Sequence, residues 1–232
     1  DPPPGSSDPD FVRAVIQLLY RHGAGKVLVG DSSTVLRSSH TILENLGMYQ
    51  VVADAGAELL SFDDGEWVEV ETGGTYLRRV ALAEAGLQAD KIVYVCCVKT
   101  HNLADFTMSL KLAMGFVRPR DRIGMHVRRL KEKLVDLNLA IAPDLIIMDG
   151  RRCFISGGPS TGELREPNLV LASGDRIAID VEALKVIQSY PENDLKADPW
   201  ELPMIRRAVE LGLGAASEAD YRVVTGEESG EI

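Results

Sequence analysis

Four polar residues, Lys99-Thr100-His101-Asn102, follow an apolar run at positions 91–98 and carry the groups best suited to chemistry. The run shows no alternation of apolar and polar residues, which predicts a strand that is buried on both faces. Ligands of open α/β sheets bind beyond the carboxyl ends of the strands, so this position favours a binding site. A lysine there can hold a phosphate or carboxylate, and an imidazole can act as an acid, a base or a metal ligand. The alternative interpretation is an ordinary solvated loop.

Three other short apolar runs end in polar residues in the same way. If the sheet is mostly parallel, these ends converge on one rim, where they would bind a small anionic molecule. Lys99, His101 and Asp149 are the candidate catalytic residues, with His101 as the general acid or base. Asp149 would orient the imidazole or bind a divalent cation. The candidate ligand-binding residues are Asp31, Ser32, Ser33, Thr100, Asn102, Lys111, Gly157, Gly158 and Asp175.

Two of these assignments have structural alternatives. Lys99 could form a salt bridge to Asp31 or Asp149, and Lys111 could face solvent. The glycine-rich segment 157–162 could present backbone N–H groups to an anion, although such segments are more often surface turns. The segment lacks the GxGxxG and GK[ST] spacings, so a Rossmann or Walker-type nucleotide site is rejected.

A divalent metal is a candidate cofactor, with His101, Asp149 and Asp180 as candidate ligands. The chain contains no HExxH, CxxC or HxH spacing, which leaves these residues without a recognised metal motif. Asp180 could instead pair with Arg176 or Lys185 on the same predicted helix.

Three cysteines are too few for an iron–sulfur cluster, which needs four thiolates, so no iron–sulfur motif is present in this chain. Cys96 and Cys97 are adjacent in a predicted strand and point to opposite faces. Cys153 is the cysteine expected near the rim, where it would be reactive if its pKa were lowered. This cysteine usage is typical of a reduced, cytoplasmic protein.

Composition limits the partners. The chain has 232 residues, of which 45% are hydrophobic and 26% charged, as in ordinary soluble globular proteins. A formal net charge of −10 disfavours nucleic-acid binding. The segment Arg118–Lys133 is an exception, with seven basic and two acidic residues. No apolar stretch approaches the roughly 20 residues of a membrane helix, so we expect neither a nucleic acid nor a membrane as partner.

Strands alternate with helices along the chain, which predicts a single α/β domain over residues 1–232 with a mixed, mostly parallel sheet flanked by helices. Asp8 and Pro9 predict the N-cap and first turn of an opening helix. Apolar residues at 3-4-3-4 spacing from Val127 to Ile141 predict one long amphipathic helix. Tyr76 to Ala89 fits either a strand or a helix. The other predicted elements are strands at 26–30, 58–62, 67–70, 144–148, 168–172 and 221–224, a hairpin turn at 63–65, and helices at 40–55, 103–116, 177–189 and after Asp198.

Several of these motifs together resemble the family called domain of unknown function 362, over about residues 8–226. The resemblance implies a bacterial or archaeal cytoplasmic α/β protein, which in some relatives is fused to a ferredoxin-like iron–sulfur module. This chain departs from the family in lacking that cysteine-rich module and in having Leu112 where the family has Asn. An opening strand with Lys-Pro-Asn is also missing, which implies truncation before Asp1. The matching segments are Val29-Gly30-Asp31-Ser32-Ser33, Val98-Lys99-Thr100-His101, Ser109-Leu110-Lys111, Met148-Asp149-Gly150, Ser156-Gly157-Gly158-Pro159, the run from Ser173 to Asp180, and Glu210 to Gly214.

Two functional hypotheses follow. The first is an enzyme that acts on a small anionic metabolite; in a redox version, suggested by the fused relatives, a ferredoxin-like protein supplies the electrons. The second is a non-catalytic binding or electron-transfer module that uses the acidic surface and the basic segment 128–133 to dock on a partner. The sequence leaves the substrate and the oligomeric state open.

Overall fold

The computed structural model describes residues 3–32 and 38–226. Short 3-10 helices lie at Phe62–Asp64, Ala113–Phe116, Pro199–Glu201 and Glu218–Asp220. The α-helices are α1 Pro9–Arg21, α2 Ser39–Asn45, α3 Met48–Asp54, α4 Glu84–Gln88, α5 Ser109–Leu112, α6 Pro119–Val127, α7 Leu130–Leu137, α8 Arg176–Gln188 and α9 Pro203–Glu210. The strands are β1 Leu28–Asp31, β2 Glu58–Ser61, β3 Trp67–Glu71, β4 Arg79–Ala83, β5 Val93–His101, β6 Asp105–Phe106, β7 Leu145–Gly157, β8 Gly162–Arg165 and β9 Leu169–Ser173.

The strands form mixed sheets between helices, which confirms the α/β class. The five-stranded sheet has the order β6-β5-β7-β8, with β9 also paired to β7, while β1 pairs with β2 and β3 with β4. Of the six strand pairs in the described residues, only β1–β2 and β5–β7 are parallel. The finer expectation of a mostly parallel sheet is therefore corrected. The connection from β7 to β8 is too short for a crossover, so β8 returns antiparallel to β7, and β9 continues in the same direction along the first half of β7.

The main hydrophobic core forms where β5 and β7 meet α5, α7, α8 and α9. Helix α8 presents apolar residues all round and is buried along most of its length, as expected for a helix inside the core. A smaller cluster joins α1, α2, α3 and β1. The predicted opening of α1 is confirmed, because the Asp8 side chain accepts hydrogen bonds from the amides of Asp10 and Phe11.

The predicted long helix from Val127 to Ile141 is two helices. Arg129 has φ 57°, a left-handed conformation that a right-handed helix cannot contain, so α6 ends at Val127 and α7 begins at Leu130. Val127 is 70% exposed, whereas Leu130 and Ile141 are buried. The predicted helix at 40–55 is likewise divided, at Gly47, which has φ 68°.

Three further predictions change in the structure. Asp63-Asp64-Gly65 does not join a hairpin, since β3 pairs with β4 and β2 lies parallel to β1. The ambiguous segment Tyr76–Ala89 contains both a strand, β4, and a helix, α4. The predicted edge strand at 221–224 is irregular backbone. None of the helices within the described residues has the length and apolar character needed to cross a membrane.

Candidate functional site

Strand β5 continues through Lys99 and Thr100 to His101, so these residues belong to the sheet and not to a loop. Thr100 and His101 are buried and Lys99 is half-buried, because β6 folds back and pairs with the end of β5. The solvated-loop interpretation is therefore wrong for these three residues and holds for Asn102, which is exposed. Since side chains alternate along a strand, Lys99 and His101 point to the same face of the sheet.

The His101 ring is held as a neutral imidazole. Its Nδ1 accepts hydrogen bonds from the backbone amides of Leu103 and Ala104, at 3.1 and 3.2 Å, so the ring proton resides on Nε2. Burial, and next the charge of Lys111, lower the pKa of His101 to about 3. At neutral pH the residue is thus placed to donate a hydrogen bond from Nε2 and is poorly suited to take up a proton.

The Lys99 ammonium lies beneath the first described residues of the chain. Its Nζ donates a hydrogen bond to the carbonyl oxygen of Gly5 at 2.7 Å. Burial lowers the pKa of Lys99, and the nearby Asp31 carboxylate opposes that effect. The salt-bridge alternative is wrong for the described residues, where no ion pair joins Lys99 to Asp31 or Asp149; Asp31 acts on Lys99 through its charge alone.

The Lys111 ammonium has no compensating partner among the described residues. It lies half-buried on α5, and no hydrogen bond or ion pair joins it to residues 3–32 or 38–226. Burial, followed by the charges of Lys99 and Arg122, lowers the pKa of Lys111 to about 8. The charge of Lys99 thus acts on Lys111, and the half-buried Lys111 side chain does not match the solvent-facing alternative.

Helix α5 is anchored by the buried Asp180. The Asp180 carboxylate accepts hydrogen bonds from the amides of Ser109 and Leu110, at 2.8 and 3.0 Å, and burial raises its pKa to about 7. The Asn138 side chain adds a 2.7 Å hydrogen bond to the carbonyl of Leu110. Asp180 is thus a positioning residue for Lys111 and not a member of the rim.

Arg122 is the residue that the sequence interpretation missed. Its guanidinium is buried and donates to the carbonyl oxygens of Val117, Ser32 and Gly115 at 2.8 to 3.0 Å. Burial lowers its pKa, while Asp31 and Asp63 oppose that effect. One signal could have identified it: Arg122 lies three residues before the buried Met125, on the inward face of α6.

We call Lys99, Lys111 and Arg122 the cation cluster. The charges of Lys111 and Lys99 act on the neutral His101, and that of Arg122 acts on Lys111. Asp31 is the carboxylate whose charge acts on both Lys99 and Arg122. A concentration of positive charge around one half-buried ammonium, in a chain of net charge −10, is the arrangement that attracts an anion. The ammonium can hold a phosphate or a carboxylate, and the imidazole N–H can add a hydrogen bond.

Asp149 lies on strand β7, well before the end of that strand, and is engaged by Arg151. The Arg151 side chain donates to both Asp149 oxygens, at 3.0 and 2.7 Å, and also contacts Asp8 at 3.2 Å. The expectation that Asp149 projects from a strand end is therefore corrected, because β7 continues to Gly157. Its register with β5 pairs Asp149 with Cys97, on the face that carries Lys99.

Other predicted ligand-binding groups are already used within the protein. Asp175 caps α8 by accepting from the amides of Ile177 and Ala178, and it also accepts from Ala215. The Gly157 amide donates to Asp194 and the Gly158 amide to the Thr161 carbonyl, which closes the turn between β7 and β8. The glycine segment is therefore a turn whose two leading amides are engaged, and the anion-cradle interpretation is corrected.

The remaining ligand candidates lie near β1 and at the end of β5. The Ser32 hydroxyl donates to Asp63 at 2.8 Å, and Ser33 lies outside the described residues. Thr100 packs against Gly158: a side chain at that glycine would collide with the Thr100 carbonyl. No hydrogen bond to the Thr100 hydroxyl is present in the described part of the chain.

The metal candidates do not form a ligand set. Asp149 is occupied by Arg151, the Asp180 oxygens accept backbone amides, and the Nδ1 of His101 accepts two more. Among residues 3–32 and 38–226, no group of three His, Cys, Asp or Glu side chains could hold a metal ion. The Nδ1 of His101 is therefore unavailable to a metal, and the proton on Nε2 leaves that nitrogen able to donate a hydrogen bond.

The three cysteines are buried and free of disulfides. Burial raises the pKa of the Cys97 and Cys153 thiols to about 11, and that of Cys96 well above its ordinary value. The interpretation of Cys153 as a reactive rim thiol is thus corrected, since a buried neutral thiol is a poor nucleophile.

A separate open cavity of about 420 Å³ lies between the β3–β4 ribbon and α6. Its rim carries Arg79, Arg118, Arg120 and Lys133 with Glu69 and Asp121, and its floor includes Leu77, Val80 and Met125. No member of the cation cluster lines this cavity.

Comparison with known proteins assigns this chain to a family. The family model described as Domain of unknown function (DUF362) matches residues 1–185, a range that includes the entire cation cluster. The thylakoid-associated protein sll1697 of Synechocystis sp. (strain ATCC 27184 / PCC 6803 / Kazusa) is 29% identical over 247 aligned positions. That alignment covers 92% of this chain and 75% of the cyanobacterial protein.

Proposed function

This chain belongs to the DUF362 family, and from that premise and its cation cluster we propose that it binds a small anionic metabolite. The anion would lie against Lys111, with Lys99 beside it and the Nε2–H of His101 as a hydrogen-bond donor. Arg122 would contribute its charge while its guanidinium keeps the backbone of α6, Gly115 and Ser32 together.

One observation carries the proposal: the Lys111 ammonium is half-buried without a partner among the described residues. The charges of Lys99 and Arg122 further raise the free energy of its charged form. Buried charges in proteins are normally paired, because an unpaired one loses its hydration without compensation. A bound anion would supply the missing partner. The ligand would then be a phosphate or carboxylate compound small enough to reach a half-buried ammonium.

As an enzyme, the protein would act on that metabolite with Lys99, Lys111 and His101 around the reacting group. If the reaction is a redox reaction, we propose a ferredoxin-like protein as the partner that supplies the electrons. A cytoplasmic location fits the three free thiols. The name of the Synechocystis relative associates that protein with thylakoids. A cytoplasmic protein that docks on a membrane surface would agree with the free thiols of this chain and with the thylakoid association of that relative.

A thermal-shift screen tests the proposal directly. The probes are phosphate, pyrophosphate, oxalate, pyruvate and citrate, each compared with sodium chloride at equal ionic strength. A ligand at a hundredfold excess over its Kd stabilises the folded state by about 2.7 kcal/mol. We expect at least one probe to raise Tm in the parent protein and in the Lys26→Met control, whose lysine is exposed and paired with Glu58. The same probe should leave Lys111→Met unchanged; equal shifts in all three proteins would contradict the assignment.

A second candidate function is docking to an acidic partner through α6. Ile123 and Val127 lie four residues apart on its outer face and are 58% and 70% exposed. The exposed Arg120 lies on the same face, and Arg128 follows directly. An apolar pair surrounded by cations is suited to a partner with an acidic rim and an apolar centre, such as a ferredoxin-like protein.

Calorimetric titration with a ferredoxin tests this second function. Binding that weakens as salt rises, and that is lost in Ile123→Ser/Val127→Ser, would support it. Absence of heat at low salt would exclude docking of this partner class.

A further inference from the structure

We propose that Lys111 is a nucleophilic amine that forms an imine with the carbonyl group of an anionic substrate, a 2-oxo acid. This inference deepens the anion-binding function proposed above and rests on it. It assigns different tasks to the two lysines: Lys99 attracts the carboxylate, and Lys111 attacks the neighbouring carbonyl carbon.

The first support is the difference in how the two amines are engaged. The Lys99 Nζ donates to the Gly5 carbonyl at 2.7 Å, which holds it in place as a charge. The Lys111 amine has no such bond in the described part of the chain, so its lone pair is free to attack once the proton has left. Its helix is nonetheless fixed, because Asp180 and Asn138 hold the backbone of α5.

The second support is the electrostatic environment. A lysine becomes a nucleophile when burial and neighbouring cations favour its neutral form, and both factors act on Lys111. With a pKa of about 8 in place of 10.5, about 300-fold more of the amine is neutral at pH 7. Arg122 and Lys99 are the cations that produce this effect together with burial.

The third support is the neutral imidazole of His101, on which the charge of Lys111 acts. The tautomer of His101 leaves a proton on Nε2, and the charges of Lys111 and Lys99 act on this ring. The Nε2–H group can stabilise the negative charge that develops on the carbonyl oxygen during attack. The neutral imidazole can donate in this way without adding a positive charge to those of Lys111 and Lys99.

The chemical step balances without an oxidant or reductant. The Lys111 nitrogen forms a bond to the carbonyl carbon, the π-electron pair moves to oxygen, and that oxygen takes a proton. Loss of the second amine proton and departure of the hydroxyl group as water then form the C=N bond. One amine and one 2-oxo acid give one imine and one water.

Reductive trapping tests the inference. The protein is incubated with pyruvate and sodium cyanoborohydride at pH 7, and peptide mass mapping locates the reduced adduct. We expect a single major adduct at Lys111, with much slower labelling of the exposed Lys26, and loss of the adduct in Lys111→Arg, which keeps the charge. Acetone, which lacks the carboxylate, should label Lys111 far less than pyruvate does.

Thermal shift with pyruvate in the absence of cyanoborohydride distinguishes a failure of imine formation from a failure of anion binding. A rise in Tm without an adduct at Lys111 would overturn the imine and leave the anion site standing. Absence of both, together with no shift from any anion in the screen, would overturn the imine and the proposed function together. Adducts spread evenly over surface lysines would also overturn the assignment to Lys111.

Discussion

Replacing Lys111 by methionine should stabilise the ligand-free protein at neutral pH. Methionine keeps the unbranched shape of lysine and removes the charge. The pKa of Lys111 falls from 10.5 to about 8 on folding, so the folded state disfavours the charged form by about 3 kcal/mol as an upper bound. Because the side chain is half-buried and solvent screens part of this cost, we expect a gain of about 1–3 kcal/mol, or about 2–12 °C in Tm for a chain of this size.

The pH dependence of the stability difference between the parent and Lys111→Met separates the effect of removing the charge from the effect of adding an apolar contact. A lysine whose pKa is lowered on folding reduces stability fully below pH 8, and the penalty disappears as pH rises from 8 towards 10.5. The stability advantage of Lys111→Met should therefore be largest at pH 7 and smaller at pH 9.5. Any gain from burying the thioether would persist at both values.

Guanidinium unfolding of the parent, Lys111→Met and Lys26→Met at the two pH values is the assay. The control changes an exposed lysine that pairs with Glu58 and should alter stability by less than about 1 kcal/mol. A variant that is less stable than the parent at pH 7 would refute the reasoning, because it would show that Lys111 has a stabilising partner in the ligand-free protein.

Three further predictions follow from the same contacts. His101 has a pKa of about 3 in the folded state against 6.5 unfolded, so its titration should cost about 2 kcal/mol of stability between pH 7 and pH 5. The raised pKa of Asp180, about 7, acts in the opposite direction over this range, so the cost is measured as the difference between the parent and His101→Gln in denaturant titrations. Arg122→Met, which strands three backbone carbonyls, should cost about 3 kcal/mol in the same assay, whereas Arg120→Met on the exposed face should cost little. The three buried thiols should react with a disulfide reagent only after denaturation; rapid labelling of the native Cys153 would show that it is accessible.

Local sequence signals predicted the elements that depend on neighbouring residues. Asp8 and Pro9 gave the start of α1, and the apolar run at 91–98 gave β5 because a strand buried on both faces needs no alternation. Lys99 and His101 were named as candidates from the position of that strand, and Lys111 from the predicted helix that follows it. These features could be predicted because each depends on residues that are close together in the sequence.

Contacts between residues that are distant in sequence explain where the predictions of the fold and of the site were wrong. The left-handed Arg129 breaks a helix that periodicity alone extends, and the pairing of β7 with β8 and β9 follows from short connections that the strand pattern does not distinguish from crossovers. Asp180 was a candidate metal ligand that could also pair with Arg176 or Lys185, but it packs beneath α5, where its carboxylate accepts hydrogen bonds from the amides of Ser109 and Leu110. Arg122 was counted only as one of the basic residues in the segment Arg118–Lys133, and the packing of α6 is what shows that it is buried.

A crystal structure of the protein soaked in sodium selenate tests the central claim most directly, since selenium can be located by its anomalous scattering. The account predicts an anomalous peak at roughly hydrogen-bonding distance, about 3 Å, from the Lys111 Nζ, with Lys99 and His101 around it. The peak should be missing from Lys111→Met crystals. Selenate bound only in the cavity of Arg79, Arg118, Arg120 and Lys133, with no density at Lys111, would contradict it.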